Sequence, residues 1–305
     1  MNLRLGLIHM LCCIVIGYSL VACSGNTRGI PDKGILRIIH TNDTHAQIQG
    51  CGCRHAGGGL IKRSFKIKSI RDSVDALLVL DAGNMLFGDG MADQSKGRFM
   101  IEALNLMRYD AINITPQEFR YGIDTLKNLE KLAKADFLSA TIKDINSRRL
   151  LFSPYKIYNR GKYKIGVIGV SDSSMLGLTP EMRSTIVIED VQPVLSELVK
   201  TLRPKVDFIV VLSYSGWEND IKMAHSIDGI DLILGGYTGS RQYRTVNQTT
   251  IGQVSWDGRY MGEAAVTFSG IATVSPIIEG SFIAMENEDM DDSAMRDLIE
   301  SYKQN

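Results

Sequence analysis

The feature that most constrains this chain is an apolar run that stops at a pair of potential metal ligands. Residues 38–41 read Ile-Ile-His-Thr and are followed at once by Asn-Asp-Thr-His. A strand that ends in this way presents Asp43 and His45 on the same side, because side chains two residues apart lie on one side of an extended backbone. The pattern therefore predicts a buried strand that delivers two ligands for a hard metal ion to the edge of a sheet.

Apolar β-type runs alternate with amphipathic helical patterns along most of the chain. Predicted strands cover 36–41, 77–80, 109–114, 137–140, 163–170, 208–212 and 230–234. Predicted helices cover 98–107, 123–134, 191–202, a segment that ends near His225, and 294–302. Buried strands that alternate with helices indicate an α/β layered sheet. The β-rich pattern from 249 to 268 indicates a second sheet packed on the first, and one domain is the simplest interpretation.

The composition is that of an ordinary globular protein, and it argues against one class of partner. The chain has 305 residues, of which 44% are apolar and 22% are charged, with 34 basic and 34 acidic side chains. Nucleic-acid binding normally leaves a basic excess, because the phosphates must be neutralised. We therefore expect no nucleic-acid partner.

The N-terminal segment has the features of a targeting sequence. Arg4 supplies a positive charge, and residues 5–19 are apolar but too short to span a bilayer comfortably. Leu-Val-Ala-Cys at 20–23 then resembles a bacterial lipobox. The resemblance implies a signal peptide over 1–22 and lipidation of Cys23, so the partner of the chain would be a membrane of the bacterial cell envelope, with the protein on its periplasmic or surface face. The alternative is an ordinary cleaved signal peptide with an incidental cysteine.

Five segments follow the order and the strand context of a known set of motifs, and they lie at 42–45, 80–84, 109–120, 211–216 and 229–239. Together they resemble the 5'-nucleotidase/UDP-sugar hydrolase family of metallophosphoesterases, in the calcineurin-like phosphoesterase superfamily. The resemblance implies a four-layer α/β/β/α sandwich over 35–285, after a linker at 23–34. It also implies a site at the strand ends where two metal ions clamp a phosphate and activate water. An acidic stretch and a C-terminal helix would follow over 286–305.

Most of the ligand positions that this resemblance implies carry other residues here. Asn84 stands where the family has the aspartate that bridges the metals, and a neutral amide holds two cations together poorly. The other positions that the family gives to a metal ligand or to the catalytic histidine are occupied by Pro116, Gln117, Tyr214, Tyr237 and Gly239. Gln117, at the position of the catalytic histidine, can donate a hydrogen bond but cannot act as a general acid.

The chain has few histidines from which to build the two-metal site that the resemblance implies. Beyond the predicted signal peptide the histidines are His40, His45, His55 and His225. One of them lies inside a predicted strand and one on a predicted helix, which leaves too few imidazoles for the family's two-metal centre. Asp43, His45 and Asn84 would form a weak or vestigial metal site. The expected cofactor is either none or a weakly bound divalent metal such as manganese or zinc.

A cysteine pair and a glycine run follow the first motif. Cys-Gly-Cys at 51–53, with Gly-Gly-Leu and basic residues after it, resembles a bacterial subgroup of the same proteins. Three interpretations of Cys51 and Cys53 are open: a small disulfide, two packed thiols, or ligands of a zinc ion together with Asp43, His45 or His55. The glycines at 57–59 form either a cradle for an anion or only a tight turn.

Three functions are compatible with these observations. The first is a pseudoenzyme, a lipid-anchored protein that keeps the phosphoesterase fold, has lost two-metal catalysis and binds a ligand or an envelope protein partner. The second is an active hydrolase of phosphoesters such as nucleotides, with a rebuilt site that lacks the bridging charge. The third is a thiol-redox or metal-binding role through Cys51 and Cys53. The joint loss of the ligand positions favours the first, because a fold does not by itself fix a function.

Overall fold

The structure is a computed structural model that describes residues 34–50, 57–172, 178–271, 274–286 and 290–304. The predicted signal peptide, Cys23 and the pair Cys51 and Cys53 lie outside the described residues, so the expectations attached to them stay predictions. Within the described ranges, no helix is both long enough and apolar enough to cross a membrane.

The strands and helices alternate along the chain as the sequence predicts. The strands are β1 (Gly34–Thr41), β2 (Leu77–Asp81), β3 (Ala111–Asn113), β4 (Asp136–Leu138), β5 (Ile142–Asp144), β6 (Tyr155–Arg160), β7 (Tyr163–Ser171), β8 (Ile186–Ile188), β9 (Phe208–Tyr214), β10 (Leu232–Gly235), β11 (Gln242–Val246), β12 (Thr249–Gln253), β13 (Tyr260–Phe268) and β14 (Ile277–Ala284). The helices are α1 (Leu60–Arg71), α2 (Gly90–Gln94), α3 (Arg98–Met107), α4 (Gly122–Leu132), α5 (Pro180–Thr185), α6 (Val191–Leu202), α7 (Trp217–Ser226) and α8 (Ser293–Lys303), with a 3₁₀ helix at Pro116–Tyr121.

Two six-stranded mixed sheets carry the fold. The first has the order β14-β13-β1-β2-β3-β4. Strands β1 to β4 run parallel to one another, and β13 is antiparallel to both of its neighbours, β1 and β14. The second has the order β11-β12-β10-β9-β7-β6, in which the four central strands run parallel between two antiparallel edges. Strands β5 and β8 form a small separate ladder. Parallel strands bring their carboxyl ends to one edge, which is where the first motif predicts a site.

The two sheets pack face to face, and helices cover both outer faces. Leu36, Ile38 and Val210 belong to the apolar layer between the sheets. A second apolar layer joins the first sheet to α1, α3, α4 and α8, and a third joins the second sheet to α6 and α7. The central strands are continuous apolar runs in the sequence, because both faces of each sheet are buried. This arrangement is the predicted four-layer α/β/β/α sandwich, and the expected fold class is confirmed.

Periodicity locates the strongest elements well and misses the weak ones. The predicted helices at 98–107 and 191–202 are α3 and α6 with the same bounds. The predicted strand at 109–114 is shorter, because only the three residues of β3 pair with a neighbour. The sequence does not predict α1, whose inner face includes the buried polar side chains Arg63 and Ser64 and so shows little helical contrast.

The glycine run before α1 is a tight turn rather than an anion cradle. Gly58 and Gly59 have φ values of 92° and 91°, which favour glycine over other residues. The Gly58 N–H donates to the Met285 carbonyl and the Leu60 N–H donates to the Ile48 carbonyl, each at 3.0 Å. These amides are therefore used inside the protein, where they fix the start of α1.

A buried histidine joins the two sheets. His40 in β1 is fully buried, and its Nε2 lies 2.6 Å from the hydroxyl of Tyr243 in β11. A Cβ atom at Gly262 would lie 1.9 Å from Nε2, so only glycine leaves room for the imidazole. Burial lowers the pKa of His40 to about 3. The imidazole is therefore neutral at neutral pH.

We expect His40 to make the fold less stable as the pH falls. The unfolded chain binds a proton near pH 6.5 but the folded chain only near pH 3, so between these values acidification favours the unfolded state by about 1.4 kcal/mol per pH unit. Between pH 7 and pH 4.5 the wild type should lose about 2–3 kcal/mol more unfolding free energy than His40→Gln. Chemical denaturation at several pH values measures this difference.

The wild type must be compared with a variant, because buried carboxyl groups change the unfolding free energy with pH in the opposite direction from His40. Burial raises the pKa of Asp81, Glu118 and Asp220, so these groups favour the folded state as the pH falls. Tyr243→Phe is the matched control, since it removes the hydroxyl and leaves His40 buried, and it should keep the wild-type pH slope. Parallel stability curves for wild type and His40→Gln would contradict the prediction.

Candidate functional site

The carboxylate of Asp43 lies at the centre of the candidate site, directly after β1. It is 1% exposed and accepts three hydrogen bonds. Oδ1 accepts from Nδ2 of Asn84 at 3.1 Å, and Oδ2 accepts from Nδ2 of Asn42 at 3.0 Å and from the backbone N–H of Tyr237 at 2.7 Å. A Cβ atom at Gly236 would lie 3.1 Å from Oδ2, so a glycine lets this backbone approach. The donors come from the loops after β1, β2 and β10, which confirms that the strand ends converge.

Asn84 links Asp43 to the second sheet. Its Nδ2 donates both to Asp43 and to the hydroxyl of Tyr214 at the end of β9, each at 3.1 Å. Burial, together with the charge of Asp43, raises the pKa of Tyr214 far above its ordinary value. The phenol therefore stays neutral. Its ring meets that of Tyr237 edge to face at 5.6 Å, so two of the positions that the resemblance gives to histidine hold a packed aromatic pair.

His45 faces a different partner from Asp43. Its Nδ1 lies 2.9 Å from Oδ1 of Asp257, and both side chains are more than one-third exposed. Asp257 lies on the loop that runs from β12 in the second sheet to β13 in the first. The predicted pair of ligands is thus divided, with Asp43 in the buried cluster and His45 in a partly exposed hydrogen-bonded pair with Asp257.

The loop over 254–259 closes one side of the site, and the sequence analysis missed it. Asn42 donates to the Val254 carbonyl and accepts from the Val254 N–H, each at 3.0 Å. The N–H of Asp257 donates to the Asp43 carbonyl at 2.9 Å. The Asp-Gly dipeptide at 257–258, with φ values of 63° and 60°, was the available signal for a tight turn at this place.

Trp256 on this loop fills the space beside Gly239. A Cβ atom at Gly239 would lie 2.4 Å from Cε2 of Trp256, and Gly239 has a φ of 70°. A histidine at this position would therefore collide with the indole and strain the backbone. The family position that Gly239 occupies has been taken over by an aromatic ring from another loop.

The segment around Pro116 and Gln117 is held by its own hydrogen bonds. Thr115 caps the 3₁₀ helix, with Pro116 at its first position. Glu118 is buried and accepts from the N–H groups of Met85 and Thr115, each at 3.0 Å. The Oε1 atom of Gln117 accepts from the Thr115 hydroxyl at 3.1 Å. This arrangement ties the loop after β3 to the loop after β2, a structural role that needs no metal.

The carboxyl group of Asp220 is a second buried polar group beside the site. Asp220 on α7 is fully buried and accepts from the Ser213 hydroxyl at 2.6 Å. Burial raises the pKa of Asp220 well above its ordinary value, because it disfavours the charged form of the carboxyl. The neighbouring Gln253 donates to the Gly236 carbonyl at 2.6 Å. These contacts fix the turn that presents the Tyr237 N–H to Asp43.

The backbone of the site is strained at several residues that are not glycine. Left-handed φ values occur at Asp43 (45°), His45 (47°), Asn84 (62°), Tyr237 (77°) and Asp257 (63°). Such conformations cost on the order of 1–3 kcal/mol each and concentrate at functional sites. Their grouping at one edge of the sheets makes this edge the candidate for a functional site.

Comparisons with known proteins agree with this geometry, although no protein-family model matches the chain. A snake venom 5'-nucleotidase from Naja atra is 30% identical over 303 residues, which cover 88% of this chain and 56% of that protein. A 5'-nucleotidase precursor from Thermus thermophilus has a similar structure, with a TM-score of 0.78 at 24% identity over 89% of this chain and 59% of that one. A calcineurin-like phosphoesterase from Bacillus subtilis has a TM-score of 0.74 at 21% identity, over 90% of this chain and 98% of that one.

The chain belongs to the 5'-nucleotidase family, and it has the fold of a calcineurin-like phosphoesterase. It spans between 37% and 56% of the length of the first three curated relatives that it matches. The resemblance that the five motifs indicate is therefore confirmed for the fold and for the 5'-nucleotidase family. It does not transfer an activity to this chain.

The side chains at the strand ends of this calcineurin-like fold do not fit two divalent metal ions. Across the described residues, no group of three or more His, Cys, Asp and Glu side chains could hold a metal. Asp43 already accepts from three N–H donors, and the two tyrosines offer no imidazole. Cys51, Cys53 and His55 lie outside the described residues, so the zinc interpretation of the cysteine pair is untested.

We expect Asn84→Asp to destabilise the protein and to make its stability depend on divalent metal. The change removes the donor and sets a second carboxylate against Asp43, which costs about 1–3 kcal/mol at neutral pH. Excess manganese should recover part of this loss, because a cation between the two carboxylates neutralises their repulsion. Thermal unfolding in EDTA and in manganese measures both effects.

Asn84→Gly is the control for this experiment. Glycine accepts the left-handed backbone at this position and removes the same donor without adding a charge. It should destabilise the protein and show no response to manganese. A variant Asn84→Asp that is as stable as the wild type in EDTA would contradict the prediction.

Proposed function

We propose that this chain is a lipid-anchored relative of the 5'-nucleotidases that binds a ligand or an envelope protein at the strand ends and does not hydrolyse phosphoesters. The anchor is the lipidated Cys23 of the predicted lipobox. The proposal concerns a protein of the bacterial cell envelope, on its periplasmic or surface face. The ligand is unidentified, and the binding edge is the one formed by Asp43, Asn84, Tyr214 and Tyr237.

The observation that carries this proposal is that the Asn84 amide nitrogen donates two hydrogen bonds at the site. Catalysis by two metals needs a bridging anion between the cations and free lone pairs on the carboxylates. Here the N–H groups of Asn84 point at Asp43 and at Tyr214. A donor thus stands where catalysis would require an acceptor, and turning the amide would set two oxygens against each other.

The edge is nevertheless suited to binding. Tyr237 is half-buried and packs against the buried Tyr214, and the partly exposed pair of His45 and Asp257 adds hydrogen-bonding groups. Binding sites in α/β folds lie in this position, outside the carboxyl ends of the strands. Tyr237 and the pair of His45 and Asp257 are therefore the groups that a bound ligand would contact.

The competing function is an active hydrolase, and the names of the relatives favour it. The Naja atra relative is named a 5'-nucleotidase, and Asp43 and His45 of the first motif are retained. A hydrolase would need further ligands from residues outside the described part of the chain. The wild-type protein distinguishes the two functions directly.

We expect the wild type to retain no divalent metal and to show no turnover. The protein, as its Cys23→Ser form, would be incubated with manganese and zinc, desalted and analysed for metal. In parallel, hydrolysis of a generic phosphodiester and of 5'-AMP would be measured. Cys51→Ser with Cys53→Ser is the control for zinc held by the thiols. One or two ions per chain, with hydrolysis abolished by Asp43→Ala, would contradict the proposal.

Restoring three ligands should create a metal site in the same fold. In the triple variant Asn84→Asp, Tyr214→His, Tyr237→His, a bridging carboxylate and two imidazoles join Asp43. We expect it to bind manganese or zinc, and metal at a hundredfold excess over the dissociation constant should stabilise it by about 2.7 kcal/mol. Titration calorimetry with thermal unfolding measures this. Gly239 stays unchanged because Trp256 blocks a side chain there.

The double variant Tyr214→His, Tyr237→His is the matched control for the triple one. It has the same imidazoles and lacks the bridging anion, so it should bind metal more weakly. Equal affinity in the two variants would mean that the bridging charge is not what the site lacks.

A further inference from the structure

The end of the molecule opposite the site carries most of its exposed apolar surface. We call it the far end and define it by the first residues of β1 to β4, the last residues of α1, α3 and α4, and the connection from β13 to β14. Of the nine large apolar side chains exposed among the described residues, six lie there: Ile35, Leu106, Leu132, Ile271, Val274 and Ile277. Isolated exposed apolar residues are normal, but a concentration at one end marks an interaction surface.

Two of these side chains lie on one face of the first sheet. Ile35 pairs with Thr267, and Thr267 pairs with Ile277. Residues opposite each other in a ladder point to the same face, so Ile35 and Ile277 lie on one face two strands apart. They are 58% and 65% exposed. Ile271 and Val274, on the connection between β13 and β14, lie at the same end but line a separate cavity with residues such as Asp228 and Gln248.

The other two follow from the strand–helix–strand connections. Each helix that joins parallel strands runs back from the site to the far end. Leu106 lies in the last turn of α3 and Leu132 is the last residue of α4. Both are therefore at the far end, on the outer side of the first sheet.

A basic cavity of about 590 Å³ lies at the same end, lined by residues around the last residue of α1, the start of β2 and the connections from α3 and α4. Its cations are Arg71, Arg108, Lys134 and Arg160, and its carboxylates are Asp72, Asp75 and Asp110. Arg160 is paired with Asp110. Arg71 donates to the Arg108 carbonyl at 2.8 Å, but its buried Nε has no partner among the described residues.

The helix dipoles account for only part of this charge. Cations are favoured at helix C termini, and three helices end here. An unpartnered buried guanidinium nitrogen is costly, and a dipole does not satisfy it. An anionic group bound in the cavity would satisfy it, since arginine matches phosphate geometry.

The predicted lipid anchor leads to the same end. Gly34, the first residue of β1, is eleven residues after Cys23. A chain of that length spans at most about 36–40 Å. A lipidated Cys23 would thus keep the far end close to the membrane surface.

We propose that the far end docks on the surface of a bilayer that contains anionic phospholipids, with apolar side chains in the interface and the Arg71 cavity on a headgroup phosphate. This inference rests on the lipid anchor of the proposed function. It sets an orientation in which the site at the strand ends points away from the membrane.

Vesicle binding of the lipid-free Cys23→Ser form tests this. We expect it to sediment with vesicles of equimolar phosphatidylglycerol and phosphatidylcholine and much less with phosphatidylcholine alone. Ile35→Ser with Ile277→Ser should weaken binding about tenfold or more, through lost apolar burial. Arg108→Glu with Lys134→Glu should abolish the preference for anionic vesicles and its dependence on salt.

Matched controls keep the same chemistry away from the far end. Phe65→Ser with Leu150→Ser removes two other exposed apolar side chains, and Arg183→Glu with Lys222→Glu makes the same change of charge. Both should bind like the wild type. Inorganic phosphate that competes as well as the anionic vesicles would mean a free-anion site and would overturn the docking.

The chain contains its own reporter of orientation. Its two tryptophans, Trp217 and Trp256, lie at the site end, so vesicles should leave their emission unchanged, whereas Ile277→Trp should add a blue-shifted component. A blue shift in the wild type would overturn the orientation. So would an absence of vesicle binding, or a dimer that Ile277→Ser converts to a monomer, since the patch would then cover a second copy. None of these outcomes depends on metal content or turnover, which test the proposed function separately.

Discussion

The buried carboxylate of Asp43 is the group on which the rest of the site depends. An ionised carboxylate taken out of water costs several kcal/mol unless charges or hydrogen bonds compensate it. In a two-metal phosphoesterase, cations would supply that compensation. Here three N–H donors from the loops after β1, β2 and β10 converge on it instead. Asp43 thereby holds together loops from both sheets.

The replaced ligand positions form a coupled set rather than separate losses. Tyr214 accepts from Asn84, Tyr237 supplies a backbone donor from a left-handed conformation, and Trp256 fills the space that a side chain at Gly239 would need. Residues in one hydrogen-bond network are not additive. A single substitution at Asn84 or Tyr214 would leave a buried polar group without its partner, so we expect these positions to be energetically coupled.

The sequence predicts the layers of this fold better than the contacts of its site. Long apolar runs and helical periodicity locate β1, α3 and α6 because burial on both faces of the sheets leaves a strong local pattern. The partners of Asn42 and His45 lie 212 residues away on the loop at 254–259, and no local pattern reports such a contact. The motif comparison shows which ligands are missing, but only the structure shows that Asn84 faces Asp43 with its donor and that Trp256 occupies the place of the last ligand.

The direction of the parallel strands determines which end of the molecule holds the site and which end holds the start of β1. Because β1 enters at the far end and delivers Asp43 at the other, any anchor placed before β1 is separated from the site by the full length of the strand, about 26 Å for eight residues. The connecting helices end at the far end, where their dipoles favour cations, and cations suit an anionic surface. The same topology that gathers the site therefore directs it away from the anchored end. An anchor before β1 would therefore leave the site facing away from the membrane, towards partners in the envelope.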